Sequence, residues 1–195
     1  MYVIGITGGV GAGKSAVLSI LKENVECEVI RADEVANELK LKGRPGYDKI
    51  VNLLGQQILG ADGEIDRNLM SMIVFEDDAK MKQVEQILHP AVKRYITDLI
   101  EEKKREKKIK YLFIEAALLI EDGYRIICDE FWYIYASVST RTMRLMENRG
   151  YSLQKIESIM DKQLSETEFR KNCDIVINND GDLNKTKEEI LNALH

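Results

Sequence analysis

The sequence predicts an α/β protein, five strands in an open parallel sheet alternating with helices, and three observations predict it. Short apolar, β-branched runs alternate with helix-length amphipathic segments through most of the chain. The first run leads directly into Gly8-Gly9-Val10-Gly11-Ala12-Gly13-Lys14-Ser15, which fits the pattern G-x-x-x-x-G-K-[ST] and opens a helix. The alternation is suspended once, between about residues 43 and 108, where helical periodicity alone marks an inserted lobe.

The first strand is residues 2–6, and the helix after the loop spans residues 15–21, with Val17, Leu18 and Leu21 at helical spacing. A second strand, residues 27–30, carries Asp33 to its carboxyl end. That is the rim where ligands collect in open parallel sheets, although aspartate is also a favoured N-cap for a helix over residues 34–41. Gly43, Pro45 and Gly46 punctuate the chain before a short helical pattern through Ile50 and Leu54, and residues 60–63 form a turn. From Asp66 the pattern is helical: Asp66 can cap one helix, the break at Asp77-Asp78 starts another, and Pro90 should kink it. His89 reads more readily as a partly buried histidine than as a metal ligand, since no His or Cys cluster surrounds it.

Strands resume at residues 110–114, ending at Glu115, and at residues 131–135, with a short helix expected between Leu118 and Cys128. Residues 140–150 form a helical stretch that ends at Gly150 and carries Arg141, Arg144 and Arg149. Such arginines can be a solvated face or a lid over a transferring phosphate. Residues 152–164 and 166–172 read as helix, residues 175–177 as the last strand and residues 183–194 as the closing helix.

A chain of 195 residues with 45 % hydrophobic content suits one domain with a real core. The core is expected over residues 1–42, 109–138 and 173–195, the lobe over about 43–108 and the lid over about 139–172. A net charge of −5 argues against nucleic-acid or membrane-surface partners. Cys27, Cys128 and Cys173 are far apart and odd in number, so they read as reduced thiols. With no leader-like start and no apolar run near the roughly 18 residues of a membrane span, a soluble, cytoplasmic protein is expected, a monomer or small homo-oligomer.

The loop carries the chemistry. Its glycines let backbone N–H groups turn inward around a phosphate, and the opening helix adds its unpaired N–H groups and dipole. Lys14 supplies a mobile charge to the β- and γ-phosphates of a nucleotide, and the Ser15 hydroxyl is placed for Mg²⁺.

The residues resemble the dephospho-CoA kinase family nearly end to end. The resemblance rests on I-T-G-G-V-G-A-G-K-S at the start, V-I-R-A-D ending at Asp33, I-D-R at Ile65 to Arg67, V-F at Val74, L-H-P at Leu88, Leu118-Leu119-Ile120-Glu121, Arg144-Leu145, Gln163, and the run from Asp174 to Gly181. It implies a three-layer P-loop kinase, with a central parallel five-stranded sheet, a helical lobe for the CoA moiety and a helical lid, that phosphorylates the ribose 3′-hydroxyl of dephospho-CoA from ATP and Mg²⁺. Asp33 would be the general base, acting with Lys14 and Arg144. The nucleotide site would be residues 8–15 with Ala16, Arg141, Arg149 and Asn179, and the acceptor would meet Asp33, Arg67 and His89. The chain departs from the family's pattern at Arg31, usually an aspartate, at Ala16, usually a threonine, at Glu115 and Ala117 within the family's D-V-P-L-L-F-E, and in the lid at Asn148 and Ile159. Another small-molecule P-loop kinase remains an alternative reading, as does a non-catalytic nucleotide-binding protein with an altered lid.

Overall fold

The computed structural model describes residues 1–194. Contacts divide the chain into two compact units, Met1–Ile30 together with the chain from Glu106 onward, and Arg31–Arg105.

In the first unit, strands β1 (Tyr2–Thr7), β2 (Cys27–Arg31), β3 (Tyr111–Glu115), β4 (Glu130–Tyr135) and β5 (Ile175–Asn178) form a parallel sheet in the order β2-β3-β1-β4-β5. Strand β1 sits in the middle, pairing Ile6 with Glu115 of β3 and with Trp132 of β4. Its residues Val3 to Thr7 are all buried, as a central parallel strand covered on both faces requires. On one face Val17, Leu18 and Leu21 of α1 (Lys14–Asn24) and Ile190 of α9 (Leu183–Asn192) close over Ile4, Ile6, Phe113, Trp132 and Ile134. Full burial of each such side chain is worth about 1.5–3 kcal/mol, so α1 is held by its packing far more than by its propensity. Elsewhere in this unit Phe169 of α8 (Glu166–Asn172) stacks on Tyr133 with ring centroids 4.8 Å apart.

The edge of the sheet is tied by charge. Asp174, just before β5, accepts from both Arg125 guanidinium nitrogens and from the Phe131 amide, and the Arg125 bonds hold its carboxyl below the usual range. The thiol of neighbouring Cys173 is pushed up to about 12 by burial. All three cysteines are free thiols. The segment from Leu118 to Cys128 forms turns and a 3₁₀ turn at Tyr124–Ile126 in place of a short α-helix; Gly123, with φ +65°, breaks any longer helix.

The second unit is helical: α2 (Ala32–Leu39), α3 (Tyr47–Leu54), α4 (Arg67–Phe75) and α5 (Asp78–Glu106). Asp66 caps α4, accepting from the Asn68 and Leu69 amides at 2.7 and 3.0 Å, and Asp77 does the same for Ala79 and Lys80. Ile50, Leu54, Ile58, Val84 and Leu88 form the core of this unit. Helix α5 runs through Pro90 as one element of 29 residues. Pro90 is exposed, so the Gln86 carbonyl that loses its partner can turn outward, and buried Leu88, Val92 and Ile96 hold the helix together. No helix among the described residues is long and apolar enough to cross a membrane.

Candidate active site

The phosphate loop leaves β1 at its carboxyl end. Gly8 has φ +148°, and an added Cβ would lie 2.5 Å from the Ile134 carbonyl oxygen, so the loop begins where only glycine passes. Gly13, at φ +89°, is the N-cap of α1, and a Cβ there would overlap the Asn179 side-chain nitrogen.

That crowding has a purpose visible in the hydrogen bonds. The Ala12 carbonyl accepts from Asn179 Nδ2 at 2.7 Å and from Arg144 Nη1 at 3.3 Å, while Arg144 Nη2 donates to the Asn179 carbonyl at 2.8 Å. The Val10 carbonyl accepts from Arg141 Nε at 2.8 Å. Held from outside by their carbonyls, the peptides on this side of the loop have their orientation set before any anion arrives. Asn179 is 1 % exposed and its side-chain oxygen accepts from Thr186, which satisfies both ends of the amide.

Helix α6 (Val138–Arg149) supplies the arginines. Ser137 caps it, the Ser137 amide donates to Asp180 at 2.8 Å, and Gly150 ends it at φ +61°. Hydrogen bonds from Thr140 and Ser137 lower the Asp180 carboxyl. Arg141 is half-buried and its pKa is lowered by that burial; among the described residues no carboxylate pairs with it. Arg149 is exposed at the end of α6.

A cleft of about 270 Å³ is lined by Gly11, Gly13, Lys14, Ser15, Glu115, Arg144, Asn148 and Arg149. Lys14 Nζ donates to the Gly8 carbonyl at 2.7 Å, which parks the ammonium across the loop. The N–H groups of the first turn of α1 have no acceptor in the helix ladder and carry its positive end. The exposed Ser15 hydroxyl carries no protein hydrogen bond among the described residues, so it is available to a cation brought in with a nucleotide. The Glu115 carboxylate, at the end of the strand beside β1, lines the same cleft. Among the described residues, no three His, Cys, Asp or Glu side chains cluster as a resident metal site.

In the helical unit Asp33 is exposed in the first turn of α2. It does not cap the helix: Arg31 occupies that position and makes no side-chain cap bond, so the capping alternative drops out. Lys40, at the end of α2, is half-buried, and its ammonium is pulled down first by that burial and then by Arg67, with Asp33 opposing. Arg67 begins α4 and is exposed, whereas His89 is half-buried in α5 and already engaged within the protein. A second cleft, of about 360 Å³, lies against Pro45, Ile87, Pro90, Arg94 and Tyr95. Sequence reasoning did not single out Lys40 or that cleft, and Glu115 entered only as a departure from a motif. The signal for Glu115 was its place at the carboxyl end of a strand next to the loop strand.

A family model described as dephospho-CoA kinase matches residues 2–185. A dephospho-CoA kinase of Streptococcus agalactiae serotype III is 34 % identical over 192 residues, covering 98 % of this chain and 97 % of the relative. Among solved structures, a protein from Thermus thermophilus matches with a TM-score of 0.81 at 28 % identity, over 98 % of this chain and 95 % of its own. The dephospho-CoA kinase from Campylobacter jejuni matches with a TM-score of 0.73 at 23 % identity over 97 % and 94 %, a likeness of fold.

Proposed function

The chain belongs to the dephospho-CoA kinase family, a kinase that phosphorylates dephospho-CoA from ATP, and we propose that Asp33 takes the proton of the attacking ribose 3′-hydroxyl while the loop and α6 hold the transferring group. In that reaction the 3′-oxygen bonds to the γ-phosphorus, the bridging bond to the β-phosphate breaks, ADP leaves and the proton passes to the carboxylate. Little covalent work falls to the protein, so positioning and charge carry the rate. Residues 8–16 cradle the phosphates; Lys14 turns from the Gly8 carbonyl to the γ-phosphate. Ser15 and Glu115 are the side chains that would hold Mg²⁺, which when bound would neutralise charge on the β- and γ-oxygens. Arg144 and Arg149 face the same cleft, and Asn179 backs the loop.

The helical lobe is the acceptor side of this reading. Arg67, with Lys40 beside it, meets the acceptor's phosphates, and the cleft beside Pro90, which mixes Pro45, Ile87, Pro90 and Tyr95 with Lys49, Gln86, Arg94 and Asp98, suits an amide-bearing pantetheine arm. His89 supports that helix from within. The substrates are small molecules, and we place the reaction in the cytoplasm, without nucleic-acid or membrane partners, in a monomer or small homo-oligomer.

The observation that carries the nucleotide half is the loop whose carbonyls are tied from outside, with Lys14, Ser15, Glu115 and two arginines lining one cleft. The test is ADP release coupled to dephospho-CoA, with adenosine and AMP as acceptors for comparison. Turnover is expected with dephospho-CoA alone; equal turnover with adenosine or AMP would overturn the acceptor assignment.

A further inference from the structure

The phosphate loop is gripped at one more point, which no catalytic role yet explains. Gln163 lies in the connection between α7 (Leu153–Met160) and α8, 153 residues away from Val10 in sequence. Its Oε1 accepts the Val10 amide at 3.0 Å and Arg141 Nη2 at 3.0 Å, while Arg141 Nε donates to the Val10 carbonyl at 2.8 Å. Three hydrogen bonds thus close a ring in which both polar groups of a single loop residue are held, one by each partner.

We infer that Gln163 is a positioning residue for phosphoryl transfer: it sets the tip of the phosphate loop and orients the Arg141 guanidinium beside it. The inference rests on the reading that this loop holds ATP.

The identity of the residue matters as much as its place. A neutral amide oxygen lets Arg141 be held without being neutralised, so its positive charge still acts, from behind the loop tip, on an anion the loop holds. A carboxylate there would accept the same two hydrogen bonds and would also cancel that charge. An apolar side chain would do the reverse, leaving Arg141 charged but freeing the Val10 amide and Arg141 Nη2, so that the Arg141 Nε bond to the Val10 carbonyl alone holds the loop tip.

The two substitutions therefore separate geometry from charge. Gln163→Leu is expected to lower kcat about 10- to 100-fold, the scale of a displacement of roughly 1 Å at a reacting group, with ATP affinity changed little. Gln163→Glu keeps the ring, so kcat should fall less, while ATP binding weakens about tenfold through the lost net charge. A kcat that falls further with leucine than with glutamate supports the inference; any other order, including no change in either, overturns it. Should the leucine variant fail to fold, amide exchange of the wild-type protein decides the matter: a protected Val10 N–H is expected, and an unprotected one overturns the inference. Wild-type protein that binds ATP yet releases no ADP with dephospho-CoA would instead overturn the kinase reading, and the ATP affinity of Gln163→Glu would then show whether Gln163 still sets the loop and Arg141 for the nucleotide.

Discussion

The phosphate-loop rim and the helical lobe are built to different standards. At the rim, Lys14, Arg141, Arg144, Gln163 and Asn179 all have protein hydrogen bonds, several reaching more than 100 residues along the chain. In the helical unit, Asp33 and Arg67 are exposed, and no hydrogen bond or ion pair ties either of them down among the described residues. Helix α4 buries no side chain completely and leaves Met72 and Phe75 63 % and 87 % exposed. A triphosphate is the same charged object in every turnover, so its site can be wired in advance and act without reorganising. An acceptor with a long flexible arm has to be gripped along its length, and the groups that grip it stay solvated until it comes.

The sharpest break of that contrast is at Lys14. Lys14→Ala leaves the loop backbone held by Asn179, Arg141 and Arg144, so folding should be unchanged by circular dichroism while kcat drops on the order of 10³-fold, as for loss of a transition-state contact. Retained turnover in the folded variant would mean that the prebuilt cradle is sufficient.

Asp33→Asn tests the exposed side next. The proton acceptor is lost while the shape is kept, and kcat should fall about 10²-fold with ATP affinity unchanged, toward the low end for a general base because positioning dominates phosphoryl transfer. Because Asp33 caps nothing, its thermal midpoint should also hold steady. A lower midpoint with normal turnover per folded molecule would turn Asp33 into a structural residue.

The same division decides what could be read before folding. The central strands β1, β3 and β4 were legible because a parallel strand buried on both faces is a nearly unbroken apolar run, the half-buried edge strands β2 and β5 as shorter runs, and Asp66, Asp77 and Gly150 because caps act within three or four residues. The phosphate loop carries its function in its own spacing. What closed over it did not show: Gln163 and Arg141 reach Val10 across 153 and 131 residues, and Arg144 turned out to strap the Ala12 and Asn179 carbonyls, partnerships with no local signature. Pro90 leaves α5 a single helix because the lost hydrogen bond faces solvent while buried Leu88, Val92 and Ile96 hold the rest of the helix.

Arg67→Ala should act on binding alone. A charged hydrogen bond to a phosphate supports roughly a tenfold change in affinity, so the KM for dephospho-CoA should rise about tenfold while kcat and ATP affinity stay near wild type. Equal acceptor affinities in titration would move the acceptor site away from the start of α4.

The smallest effect is expected at Lys40, and it bears most directly on the contrast. Burial and Arg67 both lower its pKa, so in the free protein the ammonium is held where charge is disfavoured, and only Asp33 pulls the other way. Lys40→Met keeps the aliphatic stem and removes the charge, so the thermal midpoint should stay level or rise slightly, while dephospho-CoA binds roughly five times more weakly. The pH dependence has a definite sign. Because the folded pKa lies below the ordinary value near 10.5, the unfolded chain takes up the proton first as pH falls through that window. The wild type should therefore lose a little stability on going from above pH 10.5 toward neutrality, and the methionine variant should lack that slope. A midpoint that instead drops in Lys40→Met would mean that Lys40 is stabilised by Asp33 before any acceptor arrives. The lobe would then be wired in advance like the loop, and acceptor specificity would have to come from its shape.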